Sequence, residues 1–457
     1  MKKNSSKLNS KKIVKSKKIK FLAISLLAIT GFCLTLSGCG FKKPNNKNEI
    51  NINFLSHKME QHDAFTKLAK KFKETHPKVN IKVESVGGET DYFTKLKSSF
   101  TSGKGPDIFN ISSFAEMQEY KQKAKDISNM PLLKNMNGTL KDFDNKEYLI
   151  PECYEGFGYI VRKDIFEKAG VDVNTMKTFN GLQKGFEKLQ KSIPMKDFSN
   201  LKAVLGVAGS EMWIFGNHMI IPALNKEFSS PQEAYKSTKF EFKGSKLYKD
   251  ILDFQLKYSQ KENLVSSNFQ SVVDNGIFSG KYAATQQGTW LHTPIKEYEK
   301  KNNESLSKKL AFLPYSTPED GENEGKFPAY VGQYFMINKD VTEEQYKAIK
   351  EFLEYLYTTE EGTKILTEEL GFISPIKDAK QKFEEGSLND TLLKAIKDKK
   401  TMSGGLSVIR TEEWGVKSLG ASVQKYILNP TKNIWDENVV EKNKKTWEEI
   451  AKKQLKE

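Results

Sequence analysis

Arginine is almost absent from this chain, which has only Arg162 and Arg410 among its 457 residues. The guanidinium is the side chain best matched to phosphates and base edges, because it forms paired hydrogen bonds with them. The net charge of +15 still suggests a polyanion partner, but residues 1–48 hold twelve lysines and no acidic residue, which leaves +3 for residues 49–457. The body of the chain lacks a basic excess, so we expect no nucleic-acid partner.

The usual catalytic motifs are also missing. No glycine-rich phosphate loop followed by Lys and Ser or Thr is present, and no nucleophile-elbow, zinc-protease or Ser-x-x-Lys pattern occurs in a supporting context. The five histidines are too scattered for a metal cluster, and they stand at positions 57, 62, 76, 218 and 292. We therefore expect no enzymatic activity, no catalytic residue, no metal and no cofactor.

The composition is that of an ordinary folded protein. Hydrophobic residues make up 37% and charged residues 29%, and the 30 glycines and 14 prolines are not clustered. A chain of this length is expected to form two or three structural units.

The first 39 residues have the pattern of an export signal. A lysine-rich start precedes a mostly apolar run from Phe21 to Gly38, as in a secretory signal peptide. The run is just long enough to span a bilayer, but it ends in Leu-Ser-Gly-Cys, which resembles the lipobox of bacterial lipoproteins. The resemblance implies a signal peptide at residues 1–38 and a lipid anchor on Cys39.

The cysteines and the segment after Cys39 are consistent with an anchored extracytoplasmic protein. Cys33 would leave with the signal, so Cys153 would be the sole thiol of the mature chain and no internal disulfide could form. No His lies near Cys153 in sequence, so we interpret it as a buried small hydrophobe. Residues 39–48 are polar and are expected to act as a tether. We predict attachment to the outer face of the cell membrane.

The mature chain opens with a strand, a helix and a strand. Ile50, Ile52 and Phe54 alternate with asparagines, and a helical pattern follows from Ala64 to Phe72, with Asp63 as the expected cap. Val79 to Val83 alternates again, which predicts a parallel βαβ unit. A helix containing Phe93 and a strand at 108–111 come next.

The same alternation continues over the rest of the chain. Helices are expected at 181–189, 247–258, 344–357 and 441–455, and strands at 149–150, 158–161, 281–285 and 334–337. About 400 residues of interleaved strands and helices exceed one compact domain, so the fold class is α/β with two lobes.

Several fragments, taken in order, resemble one family. They are Gly105-Pro106-Asp107-Ile108, the stretch from Gly158 to Gly170, Gly280-Lys281-Tyr282-Ala283-Ala284, Val331-Gly332-Gln333, and the stretch from Phe352 to Pro375. Together they look like the extracellular solute-binding proteins, family 1, of ABC importers, a group that includes maltodextrin-binding proteins. Two departures, Val161-Arg162 in place of Tyr-Asn and Ala283-Ala284 in place of Ala-Met, affect the ligand more than the fold.

The resemblance implies a periplasmic-binding-protein-like fold with a ligand cleft between two hinged lobes. We place lobe 1 at residues 49–153 and 312–357, and lobe 2 at residues 154–311 and 358–457. It also implies a monomer that captures a solute, with an oligosaccharide favoured, and delivers it to the permease subunits of an importer.

The expected cleft residues come from loops and from the resemblance. Open α/β sheets bind ligands at the carboxyl ends of strands, and a sugar site needs aromatic faces beside polar groups. Trp290 and Trp414 are assigned to the cleft by the family resemblance, and so is Glu155. The full predicted set is His57, Glu60, Ser112, Tyr154, Glu155, Trp213, Gln287, Trp290, Gly332, Gln333 and Trp414.

Two alternatives stay open from the sequence. Glu152 and Glu155 could serve as the acid and base of a surface glycan hydrolase, although their spacing does not give the distance that such chemistry needs. The same fold could also bind a metal chelate, polyol, peptide or polyamine.

Overall fold

The computed structural model describes residues 49–455 apart from residues 88, 320 and 408. The predicted signal peptide, the tether and Cys39 lie outside these residues.

The strands form one continuous, curved arrangement with the order β2-β1-β3-β8-β4-β6-β5, while β7 pairs with β4 and β9 with β8. The strands are β1 Ile50–Ser56, β2 Val79–Ser85, β3 Ile108–Ile111, β4 Ile150–Arg162, β5 Ala203–Gly206, β6 Tyr282–Gly288, β7 Leu310–Leu313, β8 Phe327–Ile337 and β9 Thr401–Ser403.

Helices cover both faces of this arrangement. In the first half of the chain they are α1 His62–Thr75, α2 Glu89–Thr101, α3 Phe114–Tyr120, α4 Pro131–Lys134, α5 Lys163–Lys168, α6 Phe179–Ser192, α7 Ile221–Leu224, α8 Pro231–Lys236 and α9 Ser245–Tyr258. In the second half they are α10 Phe269–Val272, α11 His292–Asn302, α12 Glu343–Thr358, α13 Glu360–Lys364, α14 Leu388–Lys397, α15 Thr411–Trp414, α16 Ala421–Leu428, α17 Lys432–Ile434 and α18 Lys442–Gln454.

The predicted βαβ opening is confirmed. β1 and β2 are parallel, with Ile52 opposite Ile81, and α1 buries its apolar stripe, including Phe65 and Phe72. The predicted cap is wrong in detail. The helix begins after Gln61, and Asp63 lies inside the first turn, where its charge is favourable to the helix dipole.

The two strands predicted at 149–150 and 158–161 fall on the single long strand β4, which begins at Ile150 and so leaves Leu149 outside. Its first half pairs with β8 and its second half with β6 and β7. The register shifts between Pro151 and Tyr154, so the ladder is irregular where the strand passes from the first lobe to the second.

Each lobe has its own core. Phe54, Phe65 and Phe335 lie in the core of the first lobe, and Tyr159, Phe186 and Trp447 lie in that of the second. Ile365, Leu366, Leu370 and Phe372 pack into the first core, whereas β7 pairs with the second half of β4. We therefore propose that residues 360–372 belong to lobe 1 and that β7 belongs to lobe 2.

Across the described ranges, the structure contains no helix that is both long enough and apolar enough to cross a membrane.

Candidate ligand-binding cleft

The carboxyl ends of β1 and β3 bring polar side chains of the first lobe together. The amide nitrogen of Gln333 lies 3.0 Å from His57 Nδ1 and donates to Ser112 Oγ at 2.9 Å. Asn110 Oδ1 accepts a hydrogen bond from the backbone N–H of His57 at 3.2 Å. Burial, aided by the neighbouring Lys58, lowers the pKa of His57 to about 4. When the Gln333 amide nitrogen is the donor, the neutral His57 ring accepts at Nδ1 and carries its proton on Nε2.

A buried ion pair joins Lys58, at the end of β1, to Glu155 on β4. Burial opposes the charge on Lys58, but the attraction of Glu155 and of the neighbouring Glu152 and Glu60 outweighs it and raises the Lys58 pKa. Gly332 leaves the space that this pair occupies. A Cβ at that position would lie 1.7 Å from Glu155 Oε2, so any side chain there would displace the carboxylate.

Two further carboxylates, those of Glu152 and Glu60, lie near this ion pair. Glu152 is completely buried, and one of its oxygens accepts a hydrogen bond from Asn110 at 3.2 Å. Its Oε2 has no hydrogen-bond partner, and burial raises its pKa to about 7. Glu60 keeps contact with solvent, yet its enclosure among protein atoms raises its pKa.

Aromatic rings form the facing wall of the second lobe. The His218 ring lies 5.1 Å from Trp213 and 5.2 Å from Trp290, measured between centroids. Its Nε2 lies 3.0 Å from the Tyr330 hydroxyl. Both indoles are partly exposed, and burial lowers the pKa of His218 to about 3. The result is an uncharged aromatic surface, which we call the aromatic wall.

Strands β4 and β8 connect the two sets of residues. Glu155 lies directly opposite Tyr330 in the antiparallel ladder, so their side chains share one face of the sheet. The ion pair of Lys58 and Glu155 therefore borders the aromatic wall. Gln287 belongs to the same wall, because its side-chain oxygen accepts a hydrogen bond from Trp290 Nε1 at 2.7 Å.

Most of the predicted residues come together in this cleft, on its two sides. The first side holds His57, Glu60, Ser112, Glu155, Gly332 and Gln333, and the second holds Trp213, Gln287 and Trp290. Their contact with a ligand stays a prediction. Gly332 takes part through the space that it leaves.

Two predicted residues lie elsewhere. Trp414 was expected in a loop facing the ligand, and this is wrong. Its side chain is fully buried at the end of α15, donates to the carbonyl of Asn443 at 3.0 Å, and packs edge-on against Trp447. Tyr154 neighbours Glu155 in the extended β4 and so points to the opposite face, where its hydroxyl lies beside Gly138.

Sequence reasoning missed Lys58, Asn110, His218 and Tyr330. Lys58 resembles any solvated lysine, because its partner Glu155 is 97 residues away. His218 gave a usable signal, since it is a polar residue inside the apolar run from Ile214 to Ile221. Asn110 could have been found as the polar member of the buried strand β3.

The arrangement is suited to binding. Four buried polar atoms of the cleft have no partner within the described residues, and each can hydrogen-bond to a ligand or to water; they are Glu152 Oε2, His218 Nδ1, Gln287 Nε2 and Gln333 Oε1. Glu155 is engaged by Lys58, so it is not a free base beside Glu152. No group of three or more metal-ligating side chains occurs in the part of the chain that the structure describes. A separate cavity of about 540 Å³, lined by residues including His292 and Asn389, contains none of the cleft residues.

Comparison with known proteins decides the family. The sequence profile of the bacterial extracellular solute-binding proteins matches residues 58–363. This chain belongs to that family. The match includes both long strands and every residue assigned to the cleft except His57, which immediately precedes it, and the family consists of binding proteins.

Individual relatives are more distant. An uncharacterized ABC transporter extracellular-binding protein of Pyrococcus horikoshii is 31% identical over 141 residues, which are 28% of this chain and 32% of the relative. The multiple sugar-binding protein of Streptococcus mutans is 26% identical over 289 residues, or 58% of this chain and 64% of that protein. The matched segments thus span less than two thirds of either relative.

The fold prediction is confirmed by solved structures. A sugar transporter of Bacillus licheniformis in complex with stachyose has a TM-score of 0.65 and 16% identity, with 88% of this chain and all of that chain covered. Other solute-binding proteins superpose equally well. The chain has their two-lobed α/β fold.

Proposed function

We propose that this protein is the substrate-binding component of an ABC importer and that it captures an oligosaccharide between its lobes. Membership of the solute-binding family supports the general role. The named relative in Streptococcus mutans is a multiple sugar-binding protein, and the Bacillus licheniformis structure holds stachyose. These two descriptions favour a saccharide over the other solutes that the fold could take.

The observation that carries the proposal is that the aromatic wall of the cleft faces a group of polar side chains on the first lobe. Pyranose rings have apolar C–H faces that stack on indoles, and their hydroxyls need hydrogen-bonding partners. Trp213 and Trp290 offer such faces on the second lobe, while His57, Ser112 and Gln333 offer polar atoms on the first.

Function then rests on closure and not on chemistry. A solute that contacts both lobes favours the closed state by the difference between its affinities for the closed and open forms. Because β4 and β8 run through both lobes, the backbone of these strands absorbs the rotation. The closed form is the one that we expect the permease subunits to accept, with the protein acting as a monomer.

A titration tests this proposal. Tryptophan fluorescence of the mature protein is recorded against maltose-, raffinose- and chitin-type oligosaccharides, with a polyol, a peptide and a metal chelate as other solute classes. Scattering is recorded at saturation. We expect saturable binding of at least one saccharide with compaction and no product. Release of shorter sugars would favour the hydrolase, and binding of non-saccharide solutes alone would contradict the sugar proposal.

We also propose that a diacylated Cys39 holds the protein on the outer face of the membrane, since two acyl chains give a stable anchor where one does not. Cells that express Cys39→Ala should contain a protein that is not labelled by a radioactive fatty acid. Cys33→Ala is the matched control and should be labelled like the natural protein. Labelling of the Cys39→Ala protein would contradict the assignment.

A further inference from the structure

The cleft of this protein has an excess of negative charge. Glu60, Glu152 and Glu155 act on one another and on Lys58. Because burial raises the Glu152 pKa to about 7, Glu152 supplies only part of a charge at neutral pH, and the excess comes from Glu60 together with that part. Within the described part of the chain, Lys58 is the cation that faces these carboxylates, and its charge is already paired with Glu155. Neither His57 nor His218 offsets the charge at neutral pH, because burial lowers both pKa values far below 7.

Hydrogen bonding in the same place is also one-sided. The Gln333 amide nitrogen lies within hydrogen-bonding distance of His57 Nδ1 and Ser112 Oγ. Its oxygen, on a side chain that is 9% exposed, remains without a partner. Glu152 Oε2 is a second buried atom without a partner, and it accepts a hydrogen bond when the carboxyl is ionised. The unpartnered atoms of the first lobe therefore favour a ligand group that donates hydrogen bonds.

We propose that the bound saccharide carries a protonated amine, which lies against these acceptors while its rings contact the aromatic wall. This inference rests on the proposed sugar-binding function. An ammonium donates three hydrogen bonds and adds the charge that the carboxylates lack, whereas a hydroxyl donates one and adds none.

Charge decides between the possible sugars. A carboxylate or sulfate on the ligand would lie among groups of its own sign, and the interaction of like charges in a partly buried site is strongly unfavourable. Neutral sugars avoid this repulsion but leave the net charge uncompensated. The electron-rich rings of Trp213 and Trp290 also attract a nearby cation. The cleft should therefore rank aminated sugars first, neutral sugars second and acidic sugars last.

The experiment compares matched ligands by calorimetry at pH 7. Glucosamine oligomers, the corresponding neutral glucose oligomers and uronic acid oligomers are titrated in β1,4- and α1,4-linked forms where each exists, with spermidine as an amine without a ring. We expect the best aminated ligand to bind about tenfold more tightly than its neutral partner, the usual advantage of a charge-assisted hydrogen bond over a neutral one. The preference should shrink as salt concentration rises.

Two variants locate the effect. Glu60→Gln keeps the side-chain shape and should reduce the ratio of aminated-sugar affinity to neutral-sugar affinity about tenfold. Glu74→Gln, on the exposed face of α1, is the control and should keep the preference.

Each other outcome is also informative. Equal or tighter binding of the neutral sugar would overturn the amine proposal and leave the sugar-binding function standing. Spermidine binding as tightly as the aminated sugar would overturn the saccharide part. Binding of none of these ligands, while another saccharide binds, would overturn the inference alone. Binding of no saccharide of any kind would remove the proposed function itself.

Discussion

Replacement of Trp414 by alanine should damage the fold and leave the cleft intact. The indole is fully buried in the core of the second lobe, with ring centroids 5.4 Å from Phe240 and 5.1 Å from Trp447. Truncation of a buried Trp to Ala costs about 3–5 kcal/mol of stability. The hydrogen bond from the indole to the carbonyl of Asn443 is lost as well, and a typical intramolecular hydrogen bond contributes about 0.5–1.5 kcal/mol.

Together these losses are a large fraction of the stability of a typical domain, which is about 5–15 kcal/mol. Urea unfolding, followed by circular dichroism, should show a much lower midpoint for Trp414→Ala. The milder Trp414→Phe, which keeps a ring but loses the hydrogen bond, should fall between this variant and the natural protein. In the absence of urea, both variants should bind ligand like the natural protein as long as they are folded. Normal stability with lost binding would refute the core assignment.

The cleft allows three further predictions. Trp290→Ala should weaken saccharide affinity by about 1–3 kcal/mol, by analogy with stacking of bases on aromatics; unchanged affinity in calorimetry would exclude stacking. Gly332→Ala should push Glu155 away from Lys58 and weaken saccharide binding in calorimetry. Unchanged affinity would show that the cleft widens to accept the methyl group and would contradict this prediction. The Glu152 pKa is raised from its ordinary 4.5 to about 7, so the native state holds the extra proton between these values and stability falls as pH rises through them, by up to about 3 kcal/mol. The free energy of unfolding of Glu152→Gln, relative to that of the natural protein, should therefore be higher at pH 8 than at pH 5. Parallel curves of unfolding free energy against pH for the two proteins would contradict this.

Local patterns predicted the first elements of the fold well, because alternation and helical spacing are properties of neighbouring residues. The pattern failed at β4. Pro151, Glu152, Glu155 and Gly156 break the apolar alternation, so the sequence resembles two short strands. In the fold these residues pair with β8, which is about 180 residues away in sequence. Nearly every residue of β4 is buried, so the strand shows no alternation of buried and exposed positions.

The site was predicted in part for a similar reason. Loop positions at strand ends suggested His57 and Ser112, which the structure brings together around Gln333; their contact with a ligand stays a prediction. Trp414 could not be judged from its neighbours Glu413 and Gly415, since its burial depends on Asn443 and Trp447, which are distant in sequence. Lys58 was missed because only its contact with Glu155 distinguishes it from a surface lysine.

The continuity of β4 and β8 has a consequence for any attempt to divide the protein. The β3 edge of the first lobe is completed by residues of β8, and the β6 edge of the second lobe by residues of β4. A fragment that ends between the lobes would carry half of a paired strand and expose the backbone groups of its other half. Neither lobe should survive as an isolated fragment, and the whole assembly should melt as a single cooperative unit.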